Sequence, residues 1–261
     1  MTARIYTMVN QKGGVGKTTT AINLGAYLAK FNQKVLIVDL DPQANATSCL
    51  GVDKHSVKHG TYEAMLEIAP ASNSLLVNAN MKLSLLPSSP ALAGAEVELV
   101  DENERELYLK KALAPLLERF DYILIDCPPS LSLLTINGLV AAQDGVIIPV
   151  QCEYLALEGV GQLMQTLQRI RQSLYPALTV RGVVMTMFES RAHLSTDVVN
   201  EIRKHFPHQV FSAIVPRSIR LAEAPSYGLP ISLYAPASTG AQAYSALAKE
   251  LLTGDGVVLP E

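Results

Sequence analysis

The chain has 261 residues, 49% of them hydrophobic, with a formal net charge of −3 and three cysteines. That length and apolar content can build one large α/β domain or two small ones. No run of 18 apolar residues offers a membrane span, and the N-terminus lacks a signal-peptide profile, so a cytoplasmic protein is expected. Cys49, Cys127 and Cys152 lie too far apart for a zinc or redox spacing, and the five histidines show no ligand pattern.

In chain order, short apolar runs alternate with longer helical patterns. Arg4–Val9 reads as a buried strand that enters Gln11-Lys12-Gly13-Gly14-Val15-Gly16-Lys17-Thr18-Thr19. Gly16–Phe31, with Ala21, Leu24, Ala26 and Leu28 on one face, reads as the helix that leaves it. Small residues let successive backbone N–H groups turn toward an anion, and the helix N-terminus adds partial positive charge. The stretch therefore reads as a phosphate-binding loop of the pattern G-x-x-x-x-G-K-[ST], with Gln11 in place of the first glycine. Lys17 would reach the β- and γ-phosphates of a nucleotide and the Thr18 hydroxyl a Mg²⁺ ion. One lysine serves such a site, and Lys12 is a second.

The next strand, Lys34–Asp39, runs into Asp39-Leu40-Asp41-Pro42-Gln43. The i, i+2 spacing puts Asp39 and Asp41 on one side while the strand lasts, where one could orient an attacking water and the other support a metal shell. Further strands are expected at Leu83–Leu86, Tyr122–Asp126, Gly145–Val150, Val180–Met187 and Val210–Ile214. Helices are expected at Glu104–Arg119, Ser130–Ala142, Leu155–Leu174, Ser195–His205 and Gly240–Leu252. Tyr122–Asp126 has the form of a Walker B strand, whose Asp126 would hold Mg²⁺, directly or through a water, beside Thr18. The alternation predicts βαβ units: an α/β, doubly wound, mainly parallel sheet with helices on both faces. It is read as a single P-loop domain over residues 1–252, with 253–261 a frayed tail.

Three of these motifs together, Lys12–Thr19, Asp39–Gln43 and Ile125-Asp126-Cys127-Pro128-Pro129-Ser130, resemble the deviant Walker ATPases of the ParA/MinD class. Within it, Pro149–Tyr154, Thr186–Arg191 and Val215–Pro225 are similar to the chromosomal ParA (Soj) subgroup, so the resemblance spans nearly the whole chain. It implies an ATPase that uses ATP and Mg²⁺ and hydrolyses ATP slowly to ADP and phosphate. Lys12 matches the signature lysine that reaches across an ATP-sandwich homodimer to the partner's nucleotide, acting as an arginine finger does. Gly13, Gly14, Val15, Gly16 and Thr19 complete the ATP loop around Lys17 and Thr18, and Asp41 matches the aspartate that positions the water. Pro216 and Ser218 fall where the family contacts adenine, with Ser218 standing where asparagine is more usual.

The same resemblance implies DNA segregation or cargo positioning on the nucleoid, with non-specific double-stranded DNA and a ParB-like stimulating protein as partners. Charge bears on the DNA expectation, because a uniformly acidic surface would repel phosphates. From Arg181 to Arg220 there are six basic residues (Arg181, Arg191, Arg203, Lys204, Arg217, Arg220) against three acidic ones, a local +3. Arg191 and Arg220 match the subgroup's DNA-contacting arginines. The residues before Arg4 are too few for a helix-turn-helix, so a sequence-tolerant contact is expected. Three rivals are weighed. Against a nitrogenase-iron-protein-like or cluster-scaffold member, Cys127 and Cys152 read better as neighbours of the Walker B strand and of a later strand than as cluster ligands. A MinD-like membrane protein should carry a basic amphipathic helix, whereas Ala243–Leu252 holds a single lysine. A small-molecule P-loop phosphotransferase would give Arg191 and Arg220 no role.

Overall fold

Val35–Asp39 and Tyr122–Asp126 are buried at every position, as strands inside a parallel sheet covered on both faces must be. The computed structural model of the chain describes residues 2–259. Along it run β1 (Arg4–Met8), α1 (Lys17–Lys30), β2 (Val35–Asp39), α2 (Asn45–Cys49), α3 (Thr61–Met65), β3 (Leu76–Asn78), β4 (Leu83–Leu86), α4 (Leu92–Glu98) and α5 (Tyr108–Leu113). There follow β5 (Tyr122–Asp126), α6 (Leu133–Ala141), β6 (Gly145–Gln151), α7 (Ala156–Ser173), β7 (Val180–Thr186), α8 (His193–His205), α9 (Ile219–Glu223), α10 (Ile231–Tyr234) and α11 (Thr239–Gly254). The strands form one seven-stranded sheet in the order β3-β4-β2-β5-β1-β6-β7. Every neighbouring pair is parallel except β3 with β4. The doubly wound α/β expectation holds.

Strand alternation sends successive side chains to opposite faces. Tyr6, Met8, Ile37 and Leu124 face α1 and α11, packing with Leu24, Leu28, Leu247 and Leu251. Ile5, Val38, Ile123 and Ile125 face the other way, onto Leu109, Leu113 and Leu134. Under β6 and β7, Ile148, Val150, Val183 and Met185 pack against α7 and α8 through Leu163, Leu167, Val198 and Ile202. Helix α1 lies so close to β2 that a Cβ on Gly25 would come within 2.6 Å of Ile37 Cδ1.

Three sequence expectations are corrected. Val210–Ile214 forms no strand, only an isolated bridge from Val210 to Val183 of β7. The Glu250 carboxylate of α11 accepts the N–H groups of Ser212 and Ala213, drawing that backbone out of the ladder. The helix expected over Glu104–Arg119 is broken: Glu104 has a left-handed backbone (φ 52°), and α5 stops at Leu113, ahead of Pro115, whose ring cannot continue an α-helix. The frayed tail is the third, for its described part. Helix α11 runs to Gly254, and the Asp255 side chain, 2% exposed, accepts hydrogen bonds from Tyr6 (2.9 Å), Tyr122 (3.0 Å) and Arg181 (3.0 Å). Residues 260 and 261 lie outside the described residues. The edge strand β3, exposed at all three positions, is only three residues long, too short for its Leu76 and Val77 to announce it.

Asp255 gathers the N-terminal ends of β1, β5 and β7, since Arg4 also donates to its backbone carbonyl at 2.7 Å. Removing one partner of a buried charge cluster strands the others. Asp255→Ala is therefore expected to cost about 3 kcal/mol of stability in urea unfolding. A loss below about 1 kcal/mol, the range of an exposed ion pair, would contradict the role given to Asp255.

Candidate functional site

The opposite edge of the sheet, where β1, β2, β5, β6 and β7 end at their C-termini, is where open α/β sheets bind ligands. Between β1 and α1 the chain makes a tight loop with Gly14 at φ 75° and Gly16 at φ 90°, the left-handed region that favours glycine. Gly16 caps α1 with no side-chain cap bond, so the helix N-terminus is open toward the loop. Gly13 and Gly14 are exposed and Val15 is buried. The loop is tied down from three sides. Asn10 Nδ2 donates to Pro149 O on β6 (2.8 Å) while its Oδ1 accepts the Lys12 N–H (3.0 Å). Thr186 Oγ1, at the end of β7, donates to Val15 O (2.8 Å), and Gln11 reaches Thr166 on α7.

The two lysines face different neighbours. Lys17 is 7% exposed, and its ammonium donates to Lys12 O across the loop (3.1 Å). Burial lowers the Lys17 pKa, while Asp126, Cys127 and Asp41 pull it back up. Lys12 instead extends to Glu153, just beyond β6, with Nζ 2.9 Å from Oε2.

Three aspartates stand beside the loop. Asp39 and Asp126 are register partners on adjacent strands, and both are fully buried. Thr18 Oγ1 donates to Asp126 Oδ2 at 2.7 Å, so the two residues stand side by side. The other oxygen, Asp126 Oδ1, is buried with no hydrogen-bond partner among the described residues. Burial and the neighbouring Asp39 charge push the Asp126 carboxyl up to about 8, against the pull of Thr18 and Lys17. Asp39 is pushed up to about 6 by burial, although Thr47 N and Oγ1 both donate to it at 2.7 Å. Asp39 and Asp41 do not share a strand face: β2 ends at Asp39, and the Asp41 N–H turns back to Asp39 Oδ1 (3.2 Å). Asp39 is thus taken up in holding the turn, whereas Asp41 Oδ1 accepts from Gln43 N (2.9 Å) and its backbone is fixed by Ser88 Oγ (2.8 Å).

An orphaned carboxylate oxygen beside a threonine hydroxyl offers oxygen ligands to a hard cation, and the buried ammonium nearby suits the phosphate oxygens that would share that cation. Among the described residues no group of three or more His, Cys, Asp or Glu side chains could hold a metal without such help. Next to the helix N-terminus opens a cavity of about 220 Å³, lined by Gly16, Thr19, Thr186, Met187, Pro216 and Ser218 among others. Pro216 and Ser218 thus share a cavity wall with the loop residues Gly16 and Thr19. The Ser218 oxygen already accepts the Leu221 N–H as the cap of α9 (3.4 Å), which leaves its O–H free to donate. Thr186, Met187 and Tyr244 were not anticipated as lining residues. Position at the end of β7 could have pointed to Thr186. Met187 sits in a left-handed backbone (φ 51°), a strain that clusters at binding sites.

The basic stretch is divided by the fold. Arg181 lies at the far end of β7 on Asp255 and leaves the basic set. Arg217 pairs with Glu189, Lys204 with Glu201 and Arg220 with Glu223. Arg191 is exposed and forms no ion pair among the described residues. A bridge from Phe188 to Pro216 draws the segments that carry Arg191 and Arg220 together, on the nucleotide side of the sheet.

A family described as an AAA domain matches residues 3–180. The chromosome partitioning protein ParA of Myxococcus xanthus is 51% identical over 252 residues, covering 97% of this chain and 89% of the relative. The sporulation initiation inhibitor protein Soj of Bacillus subtilis is 48% identical over 248 residues, covering 95% and 98%. A crystal structure described as cobyrinic acid a,c-diamide synthase from Mycobacterium smegmatis, with bound ADP and magnesium, superposes with a TM-score of 0.85 at 38% identity, covering 99% of this chain and 98% of that one.

The raised Asp126 pKa has a definite sign. Below its ordinary value of 3.8 the folded and unfolded chains both hold the proton, and the stability tied to it is lost as pH rises through about 8. In protein free of nucleotide and metal, Asp126→Asn is therefore expected to melt higher than the parent chain, by a margin that widens from pH 5 to pH 8.5. Thermal unfolding across that range checks it, and a margin independent of pH would contradict the assigned burial.

Proposed function

The chain belongs to the ParA/Soj family of chromosome-partitioning ATPases, and on that premise we propose that ATP assembles it into a sandwich homodimer that binds DNA without sequence preference. The observation that carries this reading is the division of labour between the two lysines. Lys17 lies buried within its own loop, while Lys12 extends away from it and is left half-exposed. A cation so placed serves a second subunit's nucleotide better than its own.

The fit extends to the other residues. The loop N–H groups of Gly13 to Thr19 and the N-terminus of α1 would cradle the phosphates, and the cavity beside Pro216 and Ser218 would take the adenine. Thr18 and the unpaired oxygen of Asp126 would hold Mg²⁺. Bound there, the ion would supply positive charge to offset that of the phosphates. Lys17 would stabilise the charge on the β- and γ-phosphates. Asp41, whose backbone N–H is held by Asp39 and whose carbonyl is held by Ser88, would orient the attacking water. Lys12 of the partner protomer would add the charge that completes the site.

DNA contact is assigned to Arg191 and Arg220, doubled by the two-fold symmetry of a dimer. A weak patch on one protomer becomes useful only when paired, so DNA retention would follow ATP. Hydrolysis, accelerated by a ParB-like partner, would release it. No helix of the described residues is long and apolar enough to cross a membrane.

Two experiments test the reading. With a non-hydrolysable ATP analogue, Lys12→Ala is expected to sediment as a monomer. Asp41→Ala should dimerise and bind DNA with ATP yet lose about 100-fold or more in turnover. Monomeric Asp41→Ala, or a Lys12→Ala profile like the parent's, would contradict the assigned roles. For DNA, Arg191→Glu should leave ATP binding intact and reduce the log–log salt slope of affinity by about 1 for each phosphate the arginine neutralises in the parent. An unchanged slope removes Arg191 from the interface.

A further inference from the structure

Glu153 stands in the one motif for which the ATPase reading has no role. It follows Gln151 at the end of β6 in a tight turn, its N–H donating to Gln151 O at 2.8 Å and its carbonyl accepting the Ala156 N–H at the start of α7 (3.0 Å). Its carboxylate accepts two donors and has a third cation nearby. Lys12 Nζ lies 2.9 Å from Oε2, the Gln151 amide donates to Oε1, and an Arg217 nitrogen lies 4.0 Å from Oε1. Arg217 in turn pairs with Glu189 and lines the cavity beside the phosphate loop.

We infer that Glu153 is a counter-ion in cis for Lys12, a positioning residue that parks the lysine in the monomer and must release it before it can serve a partner's nucleotide. The inference rests on the sandwich-dimer reading above and adds a gate to it. Two features of the geometry favour an exchangeable pair over a fixed strut. The Lys12 and Glu153 side chains are 37% and 43% exposed, so water screens the pair and makes it easy to break. A nucleotide phosphate carries more charge than one carboxylate and competes well for the ammonium. When Lys12 leaves, Arg217 remains beside Glu153, so the carboxylate is not left without a cation. Arg217 thereby links the lysine's parking place to the cavity wall.

A symmetric dimer breaks two such pairs, one per protomer. Glu153→Gln keeps the shape and removes the charge, so it should tighten analogue-driven dimerisation by about threefold per protomer and about tenfold in the dimer dissociation constant. A second readout needs no dimer. In the nucleotide-free protein, a carbodiimide should condense the paired Lys12 amine and Glu153 carboxylate into an amide with loss of water, detected as a linked peptide by mass spectrometry. The link should fall away when the ATP analogue is bound.

Absence of the link in the nucleotide-free protein, full persistence of the link with the analogue, or a Glu153→Gln dimer no tighter than the parent's would each overturn the gate. If parent and variant both bind the analogue and both remain monomers, the dimer reading fails and the gate with it. A link still present in that case shows that the cis pair exists without a gating role. Failure of the gate alone leaves a dimerising parent chain.

Discussion

Two carboxylates, Asp39 and Asp126, stand side by side and fully buried where two adjacent strands end, and their repulsion is the constraint around which the functional edge is built. A buried charge is tolerable only with partners, and like charges on neighbouring strands double the demand. Thr47 meets Asp39 with two donors, and Thr18 meets one oxygen of Asp126. Lys17 brings an ammonium whose own burial is unfavourable. The balance is left incomplete at Asp126 Oδ1. A ligand that brings a cation there repairs a deficit already present in the fold, so affinity and stability are linked through one atom.

The phosphate loop is held from outside its own strand and helix. Asn10 ties it to β6, Thr186 to β7 and Gln11 to α7. These are the elements that lead onward, by way of Glu153, Phe188 and Arg217, to the segments bearing Arg191 and Arg220. A shift of the loop cannot leave that flank unaffected, because its anchors are the flank. This gives a physical route by which the state of the nucleotide site could be felt at the arginines.

Local chemistry was legible in the sequence where neighbours in the chain decide the structure. The strand, loop and helix from Arg4 to Lys30 are foretold within a residue or two, because glycine at left-handed positions and an apolar helix face are local demands. Asp126 beside Thr18 was legible for the same reason, each lying at the end of a recognisable element. What failed depends on distant residues. Val210–Ile214 has the composition of a strand and is drawn off its ladder by a carboxylate from α11. Arg181 counts as part of a basic stretch until Asp255 claims it on the opposite edge of the sheet. Asp39 and Asp41 share a strand face only on paper, since the strand stops between them. The break in the helix around Pro115 was readable and shows proline overriding a favourable apolar pattern.

The cluster around Asp255 also bears on the order in which the molecule can form. Tyr6 and Tyr122 precede their shared acceptor by 249 and 133 residues, so the ribosome delivers β1 and β5 long before the group that joins their N-terminal ends. Until Asp255 is in place, the Arg181 guanidinium and both phenols at that edge lack their shared acceptor, so the sheet can pair its strands without locking their base. Interactions of such separation form late because the intervening chain must first be brought together. The nascent chain can thus assemble its nucleotide-facing loop early, while final closure of the opposite edge waits for α11 to dock.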